Sequence, residues 1–119
     1  LKLFDTAHHY GMKYILAEEL FFENLPAVYQ KIDEVTASCE VLYLTICMDV
    51  FNASIAPGVS AAAYNGIFAD SAFMHYFKHI LKSEKLLAFA IAEVNPVFDL
   101  NERTARLAAS LANEWFLLK

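Results

Sequence analysis

Residues 42–60 read LYLTICMDVFNASIAPGVS, and this stretch decides the fold class of the chain. It starts as a run of apolar and β-branched residues, and the run ends on one carboxylate, Asp49. Because residues 41–48 are apolar almost throughout, they predict a central parallel strand that helices cover on both faces. Pro57 and Gly58 then predict a long loop, of a kind that is uncommon unless it is functional.

The rest of the chain alternates helices with strands. Apolar residues at helical spacing predict four helices, at 2–10, 25–38, 71–81 and 102–118. Apolar runs predict two further strands, at 13–16 and 85–92. Polar residues that favour helix starts predict caps at Asn24, at Asp70 or Ser71, and at Asn101. Strands that alternate with helices form parallel sheets through crossovers, so the order predicts an α/β chain.

The composition indicates a part of a larger body. The chain has 119 residues, of which 58% are hydrophobic and 19% charged, and its mean hydropathy is +0.37. A chain this short buries only about two thirds of its unfolded surface, so it lacks the interior for so much apolar content. We therefore expect a piece of a larger α/β protein or an obligate oligomer. Leu1, in place of Met, agrees with a piece.

Several partners are excluded by charge and pattern. The net charge of -5 and the absence of a basic cluster argue against nucleic acid. The apolar run 86–92 is far shorter than the roughly 20 residues of a membrane-spanning helix. No secretory signal opens the sequence, so we expect a cytoplasmic protein. Cys39 and Cys47 form no zinc or redox motif, which predicts reduced thiols.

Two carboxylates follow two of the predicted strands. Asp49 ends one strand and Glu93 ends the next strand along the chain. Ligands of open parallel sheets bind in the crevice outside the carboxyl ends of the strands. A buried carboxylate costs several kcal/mol unless it is paired or bound to a metal. Either acid alone is equally consistent with a simple cap of the following turn, whereas the pair beside a long loop favours a functional site.

These residues resemble a known family. Residues 49–58 (DVFNASIAPG) resemble the metal-binding signature of the ureohydrolases, which are the arginases, agmatinases and formimidoylglutamases. Residues 93–96 (EVNP) resemble the family's substrate-binding motif, and residues 103–109 (RTARLAA) its C-terminal helix. The resemblance runs in order from about Phe4 to the end of the sequence. The segments TICMDVF, APGVSA and EVNPVFDLNERTARLAA are most similar to formimidoylglutamase.

The resemblance implies a fold and an activity. The fold is the C-terminal portion of a three-layer α/β/α arginase-like domain with a parallel sheet, so that residues 1–119 lack the N-terminal part. The activity is that of a binuclear manganese hydrolase, which converts N-formimidoyl-L-glutamate and water into L-glutamate and formamide in histidine degradation. The alternatives are another ureohydrolase, acting on arginine or agmatine, and a non-catalytic truncated remnant. A small oligomeric binding module is a third alternative. Each of these alternatives is compatible with a homo-oligomer.

The resemblance also implies site residues, with one departure. Asp49 matches a metal ligand, and Glu93 matches the glutamate that accepts the N–H groups of an amidine or guanidine substrate. Cys47 stands where the family has an aspartate ligand, two residues before Asp49, which we expect on the same strand face. Three interpretations of Cys47 follow. It is a subfamily variant that ligates or flanks Mn²⁺, or it belongs to a site that binds one metal ion tightly and the other weakly. The third interpretation is an inert buried thiol in a degenerate site.

The histidine motifs that supply the family's other ligands are missing from this sequence. His75 and His79 have the i, i+4 spacing of a helical metal site. The aromatic residues around them favour a packed helix edge instead. We therefore expect no catalytic residue and no hydrolase activity in this chain alone.

Overall fold

The fold of the chain is given by a computed structural model that describes residues 2–119. The helices are α1 (Lys2–His9), α2 (Leu25–Ala37), α3 (Ser71–Leu81) and α4 (Arg103–Leu118), and the strands are β1 (Leu42–Cys47) and β2 (Leu86–Ala92). Single turns of 3-10 helix lie at Ala17–Glu19, Phe22–Asn24 and Met48–Val50. The four predicted helices and the two longer predicted strands are thereby confirmed. Among residues 2–119, no helix is long and apolar enough to span a bilayer.

The two strands pair in parallel, as the alternation of elements predicts. Leu44 lies opposite Phe89 and Ile46 opposite Ile91, and these side chains form the inner face of the sheet. The outer face of β1 carries Tyr43 and Thr45, which are exposed. Within the described residues, the helices therefore cover one face of the sheet.

The core lies between the inner face of the sheet and helices α2, α3 and α4. Its largest fully buried side chains are Phe51, Phe77, Met48, Leu81, Leu111 and Val28. Phe73 meets Phe51 edge to face, with ring centroids 5.1 Å apart, and stacks on Phe77 at 5.5 Å. Burial of a side chain of this size stabilises the fold by about 1.5–3 kcal/mol. The segment after β1 is thus held by the core and is not a free loop.

The strand predicted at 13–16 is wrong. This segment has no regular secondary structure. The N–H of Leu16 donates to the Glu19 carboxylate at 2.7 Å, and Lys13 pairs with Glu34 of α2 at 3.0 Å. The segment therefore lies against α2, outside the sheet.

The caps predicted from residue type are right at one helix and wrong at another. The Asp70 carboxylate accepts a hydrogen bond from the N–H of Phe73 at 2.9 Å, as expected for the start of α3. Asn24 makes no such bond, and its Nδ2 group instead donates to the carbonyl of Glu19 at 2.7 Å. Asn24 therefore fastens the preceding turn and does not cap α2.

Candidate functional site

The ends of the two strands meet at one edge of the sheet. The parallel register places Cys47 opposite Ala92, and Glu93 follows directly. The chain thus leaves both strands at the same edge, where parallel sheets bind ligands. The two segments that carry the predicted site residues are neighbours in space.

Cys47 and Asp49 lie in different local structures. Cys47 is the last residue of β1 and is exposed on the outer face of the sheet. Asp49 is half-buried in the turn Met48–Val50, which begins directly after β1 and whose Met48 side chain is fully buried. The expected strand alternation between Cys47 and Asp49 is therefore wrong, because the strand ends before it reaches Asp49.

Glu93 occupies a left-handed backbone conformation. Its φ is 67°, directly after β2, and its side chain is exposed. A non-glycine residue in this region costs on the order of 1–2 kcal/mol, so the surrounding contacts must impose it. One such contact follows at once, since the N–H of Asn95 donates to the carbonyl of Gly58 at 2.7 Å. The bend directs the segment that follows β2 toward the loop that follows β1.

Gly58 is the point at which this loop is fastened. Its buried N–H donates to the hydroxyl of Thr104 on α4 at 2.7 Å. A Cβ atom at this position would lie 2.4 Å from Cβ of Asp99, closer than any real contact. Glycine is therefore required by the approach of two backbones. The amide of Asn95 adds a bond to the Ser60 hydroxyl at 3.3 Å.

The carboxylate of Asp99 caps α4, a role that we expected of Asn101. It accepts hydrogen bonds from the N–H groups of Thr104 and Ala105, both at 3.0 Å. Partial burial alone would raise the pKa of Asp99, but these bonds outweigh it and hold the pKa below its ordinary value. Asn101 and Glu102 are both left-handed, which moves the cap back to Asp99. Residue type predicted the cap at Asn101, two residues after Asp99, and gave no sign of this offset.

Asn52 was missed by sequence reasoning. Its side-chain oxygen accepts from the N–H and the hydroxyl of Ser54, at 2.9 and 2.7 Å, and its amide donates to the carbonyl of Tyr64 at 2.6 Å. Arg103 donates to the carbonyl of Ser54 at 3.2 Å. Asn52 thus ties the two ends of the loop together, and Arg103 joins the loop to α4. Asn followed by Ser at the second position is an Asx-turn signal that could have identified it.

The histidines on α3 pack as expected. The Nε2 atom of His79 lies 2.7 Å from the Asp33 carboxylate on α2, and its ring stacks on Tyr29 with centroids 4.4 Å apart. His75 meets the ring of Phe22 edge to face at 5.6 Å. The contacts of His79 join α3 to α2, and the contact of His75 joins α3 to the turn Phe22–Asn24.

The residues of this chain do not suffice for a metal centre. Within residues 2–119, no group of three or more histidine, cysteine, aspartate or glutamate side chains lies close enough together to hold a metal ion. Cys47 and Asp49 are two potential metal donors at the carboxyl edge of the sheet, whereas catalytic zinc sites, for comparison, use three protein ligands. No reaction step is therefore assigned to a metal held by this chain alone.

The sequence matches the model of the arginase family over residues 2–118. A formimidoylglutamase of Geobacillus sp. (strain WCH70) is 42% identical over 113 residues, which are 94% of this chain and 34% of that protein. A formimidoylglutamase of Staphylococcus carnosus is 39% identical over 107 residues, which are 90% of this chain and 34% of that protein. The chain thus spans about a third of the length of these relatives.

Solved structures share the fold. A formimidoylglutamase from Bacillus subtilis superposes with a TM-score of 0.84 at 22% identity, over 93% of this chain and 35% of its own. An arginase from Bacillus caldovelox gives a TM-score of 0.84 at 20% identity, over 97% of this chain and 38% of its own. The predicted fold class, a portion of an arginase-like α/β fold with a parallel sheet, is confirmed. By its sequence and its fold, the chain belongs to the arginase family.

Proposed function

We propose that the protein to which this chain contributes is a hydrolase of the formimidoylglutamase type. It converts N-formimidoyl-L-glutamate and water into L-glutamate and formamide, a step of histidine degradation. The observation that carries this proposal is the 42% identity to a formimidoylglutamase over 94% of the chain. Residues 1–119 are then the C-terminal part of one domain, and the N-terminal part supplies the rest of the site.

Glu93 is the substrate-binding residue of the proposal. An amidinium group donates two parallel N–H bonds, and a carboxylate accepts both. The exposed Glu93 side chain stands at the carboxyl edge of the sheet, on a backbone bend that the Asn95–Gly58 bond supports. A fixed carboxylate at this position would orient the amidine carbon and stabilise its positive charge.

Asp49 and Cys47 are the donors that this chain contributes to a pair of Mn²⁺ ions. Bound manganese would supply a nucleophilic water at neutral pH. The half-buried Asp49 is held by a turn whose neighbour Met48 is in the core, so its position is well determined. Thiolate is a softer ligand than carboxylate, so Cys47 weakens the preference of the site for manganese.

Two other functions compete with this proposal. The family match is equally consistent with a ureohydrolase that acts on arginine or agmatine. The small donor set within residues 2–119 favours a non-catalytic protein. An assay of N-formimidoyl-L-glutamate, L-arginine and agmatine on the native protein that contains this chain separates all three. Formamide from the first substrate supports the proposal, urea from the others supports the first competitor, and no product supports the second.

A further inference from the structure

The chain leaves β2 through a turn in which Asn95 uses every polar group that it has. Its N–H donates to the carbonyl of Gly58 at 2.7 Å, and its own carbonyl accepts from the N–H of Phe98 at 3.2 Å. Its side-chain oxygen accepts from the N–H of Val97 at 3.1 Å, and its Nδ2 group donates to the Ser60 hydroxyl at 3.3 Å. Two of these bonds shape the turn itself, and the other two fasten it to the loop that follows β1.

The residue type at this position fits both tasks of the side chain. Asparagine carries an acceptor and a donor on one short stem, whereas aspartate lacks the donor. Pro96 strengthens the turn, because asparagine at the first position and proline at the second are both typical of a type I turn. Proline also restricts the residue before it to extended backbone conformations. The pair Asn95-Pro96 therefore specifies this turn without any contribution from Glu93.

Glu93 lies between two fixed parts of the chain. On one side, β2 ends at Ala92, which the parallel register pairs with Cys47. On the other side, Val94 packs against the core and Asn95 is bonded to the loop. The φ of 67° at Glu93 belongs to a region that L-residues adopt only at a cost, and such a conformation persists where its surroundings impose it. Asn95 supplies the constraint on the carboxyl side.

We propose that Asn95 is a positioning residue for the carboxylate of Glu93. Its side chain fixes the turn after β2 on the loop 57–60, and the left-handed backbone that results sets the direction of the Glu93 side chain. The loop is itself anchored, because the N–H of Gly58 donates to the buried hydroxyl of Thr104 on α4 at 2.7 Å. The role of Glu93 toward an amidine rests on the proposed function, whereas the coupling of Asn95 to Glu93 does not depend on it.

A double-mutant cycle in the native protein that contains this chain tests the coupling. Glu93→Gly relieves the left-handed strain, so we expect it to lower the unfolding equilibrium constant by roughly threefold in urea titrations. In the Asn95→Ala background the bend is less strongly imposed, and at least half of this gain, on a logarithmic scale, should disappear. Glu102→Gly is the matched control, because Glu102 is also an exposed glutamate with left-handed backbone but lies outside the turn. Its effect should be the same in both backgrounds.

Two results of this cycle would overturn the proposal. The first is an undiminished gain from Glu93→Gly in the Asn95→Ala background, which would mean that Asn95 does not impose the bend. The second is an equal reduction of the gain from Glu102→Gly, which would mean that Asn95 supports the fold in general and has no specific effect on Glu93.

Steady-state kinetics with N-formimidoyl-L-glutamate supply a second measurement. We expect Asn95→Ala to raise KM about tenfold, because a misdirected carboxylate loses the equivalent of one charge-assisted hydrogen bond to the amidinium. A loss of folded protein alone would lower the apparent kcat and leave KM unchanged, so an unchanged KM would contradict the positioning role. Asn113→Ala, at an exposed asparagine of α4, is the control. If the parent protein hydrolyses nothing, only the proposed function fails, and the double-mutant cycle still decides the role of Asn95.

Discussion

Gly58 is the residue on which the candidate site depends most directly. Its N–H binds Thr104, its carbonyl binds Asn95, and the space for a side chain is taken by Asp99. Three segments of the chain thus converge on one backbone position. Pro57 and Gly58 therefore mark a point at which the loop is fixed in place, and they do not make it flexible.

The substitution Gly58→Ala should lower the free energy of unfolding of the chain by about 1–3 kcal/mol, as is typical of overpacking. The added methyl group would overlap the Cβ, Cγ and Cα atoms of Asp99. Chemical denaturation measures the effect, and Ala61→Val, which adds bulk at an exposed position, is the control. Equal stability of Gly58→Ala and the parent chain would show that the loop is not fastened here.

Acid should destabilise the chain in part through Asp99. Because hydrogen bonds lower its folded pKa, the carboxylate stabilises the fold above its unfolded pKa. That contribution is lost as the pH falls through the folded pKa. Asp99→Asn should therefore lower the melting temperature at neutral pH and reduce its fall on acidification. Thermal scans from neutral pH down through the folded pKa of Asp99 measure both effects, with the exposed Asp5→Asn as control. An unchanged pH profile in Asp99→Asn would contradict the capping role.

The substitution Cys47→Asp should raise the manganese affinity of the native protein that contains this chain, because carboxylate suits Mn²⁺ better than thiolate. Titration of the free ion by electron paramagnetic resonance measures the affinity without reference to activity. Cys39→Asp, at the other thiol, is the control. Unchanged affinity in Cys47→Asp would mean that Cys47 does not face the metal.

At the scale of elements, the predictions from sequence succeeded where burial sets the pattern. Helix α3 and strand β1 were predicted because their apolar spacing reflects the core that they share. The prediction of a strand at 13–16 is wrong because a short apolar run does not by itself show whether it pairs in a sheet, and this segment lies outside the sheet with its Lys13 paired to Glu34 of α2. The turn at Met48–Val50 was not predicted, because residues 41–48 form one almost continuous apolar run without a turn residue.

The candidate site was predictable in its residue types and not in its geometry. Asp49 and Glu93 could be located as carboxylates that follow strands, and the parallel register does bring these strand ends together. The left-handed bend at Glu93 has no signal in the residue type, since contacts with the loop impose it. The same holds for the cap at Asp99, which depends on two left-handed residues before α4.

Helix α4 should hold the loop through one buried hydroxyl. Thr104→Val keeps the shape of the side chain but removes the acceptor for the N–H of Gly58. A buried N–H without a partner costs about 1–3 kcal/mol, so we expect a loss of that size in the free energy of unfolding. The same change at the exposed Thr45 should cost little. Similar losses at both positions would show that the buried hydrogen bond contributes nothing specific.

At the scale of the whole molecule, the chain has the properties expected of one part of a larger body. It exposes many large apolar side chains, among them Tyr43 at 64% and Leu87 at 75%, and within residues 2–119 both outer edges of its two-stranded sheet lack a further strand. It also covers about a third of the length of its relatives. These properties agree with the proposal that a complete domain surrounds it, and with the expectation that the 119-residue chain alone hydrolyses nothing.

Formamide release from N-formimidoyl-L-glutamate by the native protein that contains this chain tests the central claim most directly. L-Arginine and agmatine serve as competing substrates, and Glu93→Gln, which removes the charge that faces an amidinium, serves as the matched variant. We expect formamide from the first substrate, little urea from the other two, and loss of activity in the variant. Hydrolysis of none of the three, or full activity in Glu93→Gln, would contradict it.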